Sequence, residues 1–354
     1  MKHLTPIKWI ILFLLLSFPL LFLLIRSEKP QKVIFLEGSS YTAYFSPQDR
    51  LYPHLIYLIK KAKWSIYAAF YEIELKEVAQ ALVKAHKRGV KVKIFTDDLT
   101  SNDEDSQFSY LKSFGLAKKD ADPESFMHHK FCLIDEELVW AGSFNPTHSG
   151  SLKENNNVVI IKSSSLVSHF IEEFNRLWGG NSSFPKNKIE AEKFGVYKPQ
   201  EKISVGRASI EVYFSLLNNP ERAIIEELKK AKKSIHFALF SFTSPEIAYI
   251  LIHKYAENIE VKGIMEKDQD SFFSQYHPLK KLKMEVRWDK NFYLMHHKFF
   301  IIDEEVVITG SFNPTRHANY ENREDLLIIH SPLLAKRYEN EFQGMWKRWY
   351  EKKI

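Results

Sequence analysis

Hydrophobic and polar positions along this chain switch repeatedly between a two-residue and a three-to-four-residue period. VIFLE (33–37) and YTAYFS (41–46) read as strands. Over 49–62, Leu51, Leu55, Leu58, Ile59 and Ala62 fall on one helical face, which predicts an amphipathic helix over a sheet. WSIYAAFY (64–71) is a buried strand, 74–88 a second helix stopped by Gly89, and VKVKIF (90–95) another strand. TSNDEDSQ (100–107) is a loop, NVVIIK (157–162) a strand, and LVSHFIEEFNRLW (166–178) an amphipathic helix. Residues 179–207 mix Gly, Ser, Pro and charge and predict a linker. The order then recurs: a helix near 220–232 opened by Pro220, the strand SIHFALFSF, a helix from Ser244 and Pro245 to about 257, VKGIME (261–266), DLLIIH (325–330) and a terminal helix through Trp346. Alternating strands and helices predict an α/β sandwich in each half.

Ahead of this pattern lies WIILFLLLSFPLLFLLI (9–25), a 17-residue apolar run broken only by Ser17 and Pro19. As a helix it would reach about 26 Å, enough for the hydrocarbon core of a bilayer. A secretory signal usually has a shorter apolar region and a small-x-small cleavage site, but this run leads into RSEKPQK. It reads as an uncleaved anchor over 7–26. Lys2 and Lys8 precede it, and Arg26, Lys29 and Lys32 follow, so the charge bias is nearly balanced; the expectation is an inside N-terminus with the body on the outer face.

The hydrophobic content of 45% is ample for buried cores, and 354 residues suit two domains of ordinary size. These are expected at 33–180 and 208–354, joined by 181–207. A net charge of +6 is compatible with an anionic partner, either nucleic acid or an anionic membrane, and equally with a Lys-rich solubilising surface. The one cysteine, Cys132, excludes a disulfide framework and reads as a core residue.

The candidate chemistry is a repeat. HHKFCLIDEELVWAGSFN (128–145) returns as HHKFFIIDEEVVITGSFN (296–313), 168 positions later and without a gap. The fixed positions are His128, Lys130, Asp135, Gly142, Ser143 and Asn145, then His296, Lys298, Asp303, Gly310, Ser311 and Asn313. FCLI and LVWA predict the two strands of a hairpin around an acidic turn. Alternation turns His128 and Lys130 to one side and His129 to the other. Gly142 permits close backbone approach, and Ser143 and Asn145 share a face. Each copy thus presents an imidazole, an ammonium, a hydroxyl and a carboxamide, a set suited to phosphate. Asp135 and Asp303 fall on the turn and read as structural. A metal site is the weaker reading, because a Lys directs positive charge into each cluster and no further ligand set completes one.

The pattern His-x-Lys, four residues, Asp, six residues, Gly-Ser-x-Asn resembles the duplicated HKD motif of the phospholipase D superfamily. Flanking segments repeat as well, YFS (44–46 and 213–215) and KKAKWSI (60–66) with KKAKKSI (229–235), so the resemblance spans nearly all of the chain beyond the anchor. It implies two pseudo-symmetric α/β/α halves around one active site, without metal or other cofactor, for which a monomer suffices. One motif His would attack phosphorus and the other protonate the leaving oxygen. Lys130, Lys298, Asn145 and Asn313 would stabilise phosphoryl charge, with Ser143 and Ser311 in support. The family also commonly places an acidic residue downstream of each motif to orient its His. Here the second half reads Asn322-Arg323-Glu324, whereas the first reads Glu154-Asn155-Asn156-Asn157, which sets Asn156 opposite Glu324. A carboxylate partner favours imidazolium, so with each partner serving its own half His296 is expected to be the acid and His128 the nucleophile, with Glu154 an alternative partner.

The leading expectation is a membrane-anchored phosphodiesterase hydrolysing or transferring the phosphatidyl group of a glycerophospholipid. A non-specific endonuclease is the alternative, since the chain is basic. Cardiolipin synthesis is a third option, although such enzymes usually carry more than one span. An inactive scaffold binding anionic head groups is the fourth, and two complete motifs argue against it.

Overall fold

The computed structural model describes residues 31–36, 38–179 and 200–351. The expected anchor over 7–26 and most of the expected linker lie outside the described residues. Among the described residues no helix is long and apolar enough to cross a membrane.

The first half runs β1 (Tyr41–Phe45), α1 (Leu51–Lys61), β2 (Ser65–Phe70), α2 (Lys76–Lys87), β3 (Lys91–Thr96), α3 (Phe108–Ser113), β4 (Ala117–Lys119), β5 (Lys130–Ile134), β6 (Leu138–Gly142), α4 (His148–Leu152), β7 (Asn157–Lys162) and α5 (Ser164–Gly179). The second runs β8 (Ile203–Val205), β9 (Ala208–Phe214), α6 (Pro220–Leu228), β10 (Ser234–Leu239), α7 (Pro245–Ala256), β11 (Glu260–Met265), α8 (Tyr276–Lys281), β12 (Glu285–Trp288), β13 (Lys298–Ile302), β14 (Val306–Gly310), α9 (Arg316–Tyr320), β15 (Asp325–His330) and α10 (Pro332–Glu351).

Each half forms one mixed sheet, ordered β1-β7-β6-β5-β2-β3-β4 and β12-β11-β10-β13-β14-β15-β9-β8. The corresponding strands pair alike. β2 lies antiparallel to β5 with Phe70 opposite Lys130, and β10 antiparallel to β13 with Leu239 opposite Lys298. β2 and β10 are each parallel to the next strand outward, β3 and β11.

The alternation read in the sequence sorts the two faces. In β5, Cys132 and Ile134 pack with α1 and α2, while Phe131 and Leu133 join Phe170 and Phe174 of α5. In β13, Phe300 and Ile302 face α6 and α7, while Phe299 and Ile301 meet Tyr338 and Phe342 of α10. Helices α5 and α10 thus lie between the two sheets and belong to a core that both halves share. The long helix after each last strand has two sheets to cover, which explains why both are strongly apolar on one side.

Three differences from the sequence reading have local causes. Residues 33–36 of VIFLE form no strand: Leu36 N donates to Tyr41 O across a turn, Ile34 N donates to the Tyr44 hydroxyl, and Val33 is buried without a ladder partner. β8 falls inside the expected linker and pairs with β9 to add an edge strand. The short β4 and β12 sit at the far edges of their sheets, where brief strands carry too few residues to show a period.

Gly142 and Gly310 close the motif hairpins at φ +155° and +150°. A Cβ on Gly142 would stand 2.2 Å from Asn157 O, and one on Gly310 2.3 Å from Asp325 O. Gly142→Ala is therefore expected to destabilise the fold by about 2–3 kcal/mol, measured by thermal unfolding, and to lower activity by displacing Asn156. An unchanged melting temperature would show that this backbone contact is looser than described.

Candidate active site

The chain segment before each motif strand crosses into the other half. Met127 forms a parallel bridge with Arg323, and Asn155 with Met295. His128 N donates to Arg323 O at 3.0 Å and His296 N to Asn155 O at 2.9 Å. These two exchanged contacts, related by the repeat, bring both motifs to one place.

The partners of the motif His residues are exchanged in the same way, which corrects the expectation that each half orients its own. His128 Nδ1 lies 2.8 Å from Glu324 Oε2, and His296 Nδ1 lies 2.9 Å from Asn156 Oδ1. Glu154 does not bond a motif His; its Oε2 accepts from Asn156 Nδ2 at 3.2 Å. That contact and Gly150 O, 3.1 Å from Asn156 Nδ2, fix the amide with its oxygen toward His296. With Nδ1 engaged in both rings, Nε2 is the nitrogen left for chemistry.

Ser143 and Ser311 hold these partners. Ser143 Oγ donates to Asn156 Oδ1 at 2.9 Å and accepts from Asn157 N at 3.0 Å. Ser311 Oγ donates to Glu324 Oε2 at 2.7 Å and accepts from Asp325 N at 2.9 Å. Each serine thus reaches the site through the residue that orients the opposite half's His.

Lys130 and Lys298 are both buried, and each Nζ donates to the carbonyl of its own motif His, at 2.7 and 2.9 Å. Tyr71 and Phe240, the residues just beyond β2 and β10, lie under the two ammoniums at 5.0 and 4.9 Å, edge-on to His128 and His296. Neither aromatic stood out in the sequence, although both end the repeated strand.

Asn145 Nδ2 points to Glu72 Oε2 at 3.4 Å, and Asn313 Oδ1 accepts from Ser241 N at 3.4 Å. Glu72, which sequence reasoning did not single out, is raised to about 8 by burial and by its neighbour Glu74, against the pull of Lys130.

The electrostatics of the cluster follow from burial and like charge. Burial lowers Lys130 to about 8, with Glu324 acting in the opposite direction. Burial and then the Lys130 ammonium push Lys298 well below its ordinary range. Burial, together with the two lysines, holds both His128 and His296 well below 6.5. Glu324 is raised to about 7 by burial, despite Lys130 and Ser311. Two lysines and two imidazoles therefore converge with Glu324 among them and Glu72, Glu154 and Asp325 around them, and an anion entering the cluster relieves the repulsion that remains.

The remaining motif residues build the frame. The Asp135 carboxylate accepts from the backbone N–H groups of Lys63, Trp64 and Ser65 at 2.9, 2.6 and 3.0 Å. Asp303 does the same for Lys232, Lys233 and Ser234 at 2.9, 2.7 and 2.9 Å. Both are remote from the reacting cluster and tie the hairpin turn to the entry of the neighbouring strand. His129 bridges Asp325 Oδ1 (3.0 Å) and Glu173 Oε1 (3.2 Å), and His297 Nδ1 lies 3.1 Å from Asn157 Oδ1. Among the described residues, the carboxylates of Asp97, Asp98 and Asp120 lie within 4.8 Å of one another, a grouping without a motif residue. Asp97 accepts from Met127 N at 2.9 Å and so steadies the approach to His128.

Comparison with known proteins shows the family. The family model described as "Cardiolipin synthase, PLD-like domain" matches twice, over residues 55–178 and 224–346. A mitochondrial cardiolipin hydrolase of Xenopus laevis is 33% identical over 127 residues, 36% of this chain and 60% of that protein. A phospholipase D of Rickettsia bellii (strain RML369-C) is 30% identical over 135 residues, 38% of this chain and 67% of that protein. The match to the cardiolipin hydrolase thus spans less than two thirds of its length. Among solved structures, phosphatidylserine synthase of Haemophilus influenzae Rd KW20 shares the fold, with a TM-score of 0.67 at 12% identity over 88% of this chain and 87% of that one.

Proposed function

The chain belongs to the family of cardiolipin synthase-type, phospholipase D-like domains, present here twice, and on that premise we propose that it is a phosphodiesterase acting on the phosphatidyl group of a glycerophospholipid. The observation that carries this reading is the pair of buried lysines, Lys130 and Lys298, close enough for the first to depress the second, beside two imidazoles whose Nδ1 atoms are already held. A phosphodiester supplies the missing negative charge.

In the proposed reaction, His128 Nε2 attacks phosphorus while the alcohol oxygen departs with a proton from His296 Nε2. Water or a second alcohol then gives its proton to His296 and attacks phosphorus, and His128 leaves as neutral imidazole. The crosswise pairing removes the earlier reason for this division of roles, since it sets the carboxylate beside His128, and supplies a different one. A His bonded to phosphorus through Nε2 carries a full positive charge, which the Glu324 carboxylate offsets and the Asn156 amide would not. Lys130, Lys298, Asn145 and Asn313 would hold the phosphoryl oxygens. The apolar run at 9–25 would keep the site beside lipid at high effective concentration, with the body on the outer face.

Incubating the full-length protein with vesicles of labelled phosphatidylcholine, phosphatidylglycerol or cardiolipin, and separately with single-stranded DNA, each with and without EDTA, tests the substrate class. Release of the lipid's alcohol component, insensitive to EDTA, is the expected result. Cleavage of DNA but not lipid would replace this reading by the endonuclease, and binding without cleavage by the scaffold.

A further inference from the structure

Resting on the phospholipid reading, we infer that the second half docks onto an anionic bilayer through two aromatic loops beside the site. Phe272 and Phe273 occupy the loop after β11, and Phe292 and Tyr293 the loop after β12. Phe272 is 95% exposed, Phe292 94% and Phe273 71%, and each pair has its rings 5.4 Å apart. A single exposed aromatic residue is ordinary, but two pairs on neighbouring loops form an apolar surface that water does not favour.

Their position ties them to the chemistry. β10, β11 and β12 are parallel, and β10 ends at Leu239, opposite Lys298 and next to Phe240 on His296. The loops after β11 and β12 therefore leave the sheet at the edge that carries the site. Asn291 Nδ2 fixes the second loop by donating to Asn155 Oδ1 at 2.7 Å and Lys153 O at 2.9 Å, one residue from the partner of His296.

The aromatic rings, with lysines set around them among Asp268, Asp270 and Asp289, favour a lipid surface as the occupant. Lys153 Nζ stands 4.8 Å over the Tyr293 ring, Lys267 is exposed at the start of the first loop, and Lys281 lines a recess together with Phe272, His277 and Asp270. Phenylalanine and tyrosine flanked by lysine suit the boundary between head groups and acyl chains. The corresponding loops of the first half read DEDS (103–106) and DPES (122–125). A nucleic acid strand crossing the site would have to pass those acidic loops, whereas a bilayer met from the second half does not.

Cys132 is buried and is the only cysteine, so a cysteine introduced on a loop can be labelled alone. Full-length F292C and, as control, E124C would each carry an environment-sensitive fluorophore and be bound to phosphatidylcholine–phosphatidylglycerol vesicles containing a lipid-borne quencher. The label at 292 is expected to shift to the blue and be quenched, and the label at 124 to remain in water. Replacing Phe272, Phe273, Phe292 and Tyr293 together by serine should lower turnover of vesicle lipid about tenfold while leaving cleavage of water-soluble bis(p-nitrophenyl) phosphate unchanged. A label at 292 that stays in water on bound protein overturns the inference, as does a shift produced by single-stranded DNA and not by vesicles. If the wild type cleaves neither substrate, the phospholipid reading fails, and the label still decides whether the loops dock.

Discussion

Glutamine in place of His128 is expected to lower turnover of every phosphodiester by at least about 10⁴-fold, whatever the leaving group, because it removes the proposed nucleophile. Glutamine in place of His296 should cost about 10²–10⁴-fold on a lipid, whose alkoxide leaves poorly without a proton. The same variant should recover most of its rate on bis(p-nitrophenyl) phosphate, since nitrophenolate leaves unaided. Steady-state rates of both variants on both substrates check the division of roles. Recovery of the His128 variant instead of the His296 variant would reverse it. The reason for an unequal pair is structural: Glu324 and Asn156 occupy equivalent places in the repeat yet serve the opposite half's ring, so only His128 has a carboxylate beside it.

His129 should carry the largest effect on stability. It is fully buried between Asp325 at the start of β15 and Glu173 on α5, so its ion pairs join the two halves. Burial alone would lower the ring, but the hydrogen bonds it donates to Asp325 and Glu173 outweigh burial and raise it to about 9. Because the folded value lies above the unfolded one, this contribution is complete below about pH 6.5 and is lost as pH rises through about 9. Its size is about 3 kcal/mol on that shift. His129→Ala leaves the Asp325 carboxylate buried without its cation and should destabilise by about 3–5 kcal/mol at neutral pH. Denaturant unfolding from pH 6 to 10 would check both points, and the variant should lack the wild type's decline between 6.5 and 9. A variant as stable as wild type would show that the bridge contributes nothing. The corresponding His297 has Asn157 where His129 has Asp325 and keeps one carboxylate, Glu341, 3.6 Å from its Nε2; burial outweighs that partner and lowers the ring, so the two halves differ here too.

Much of this was legible because the repeat made each half a check on the other. The alternation in FCLI and FFII located the two faces of β5 and β13, and the motif spacing gave the hairpin turns that Asp135 and Asp303 secure. What the sequence concealed was the crossing of the chain between halves. Nothing in the order Asn322-Arg323-Glu324 says that Glu324 turns to His128, because that follows from the pairing of Met127 with Arg323. Glu72 was hidden for a similar reason: its contact with Asn145 joins the ends of β2 and β6, which flank β5 and lie far apart in sequence. Tyr71 and Phe240 could have been found, since both follow a repeated buried strand at the same step. The edge strands β4 and β12 could not, being too short to impose a period.

In the proposed reaction two crossing halves turn unequal imidazoles onto one phosphorus. Quenching the full-length enzyme in alkali during turnover of a phosphatidyl-labelled lipid, then mapping the label by peptide mass, tests it most directly. The account predicts a phosphoramidate-linked label on His128 that is absent from the His128→Gln variant. Label on His296, or single-step turnover that leaves neither ring modified, would contradict it.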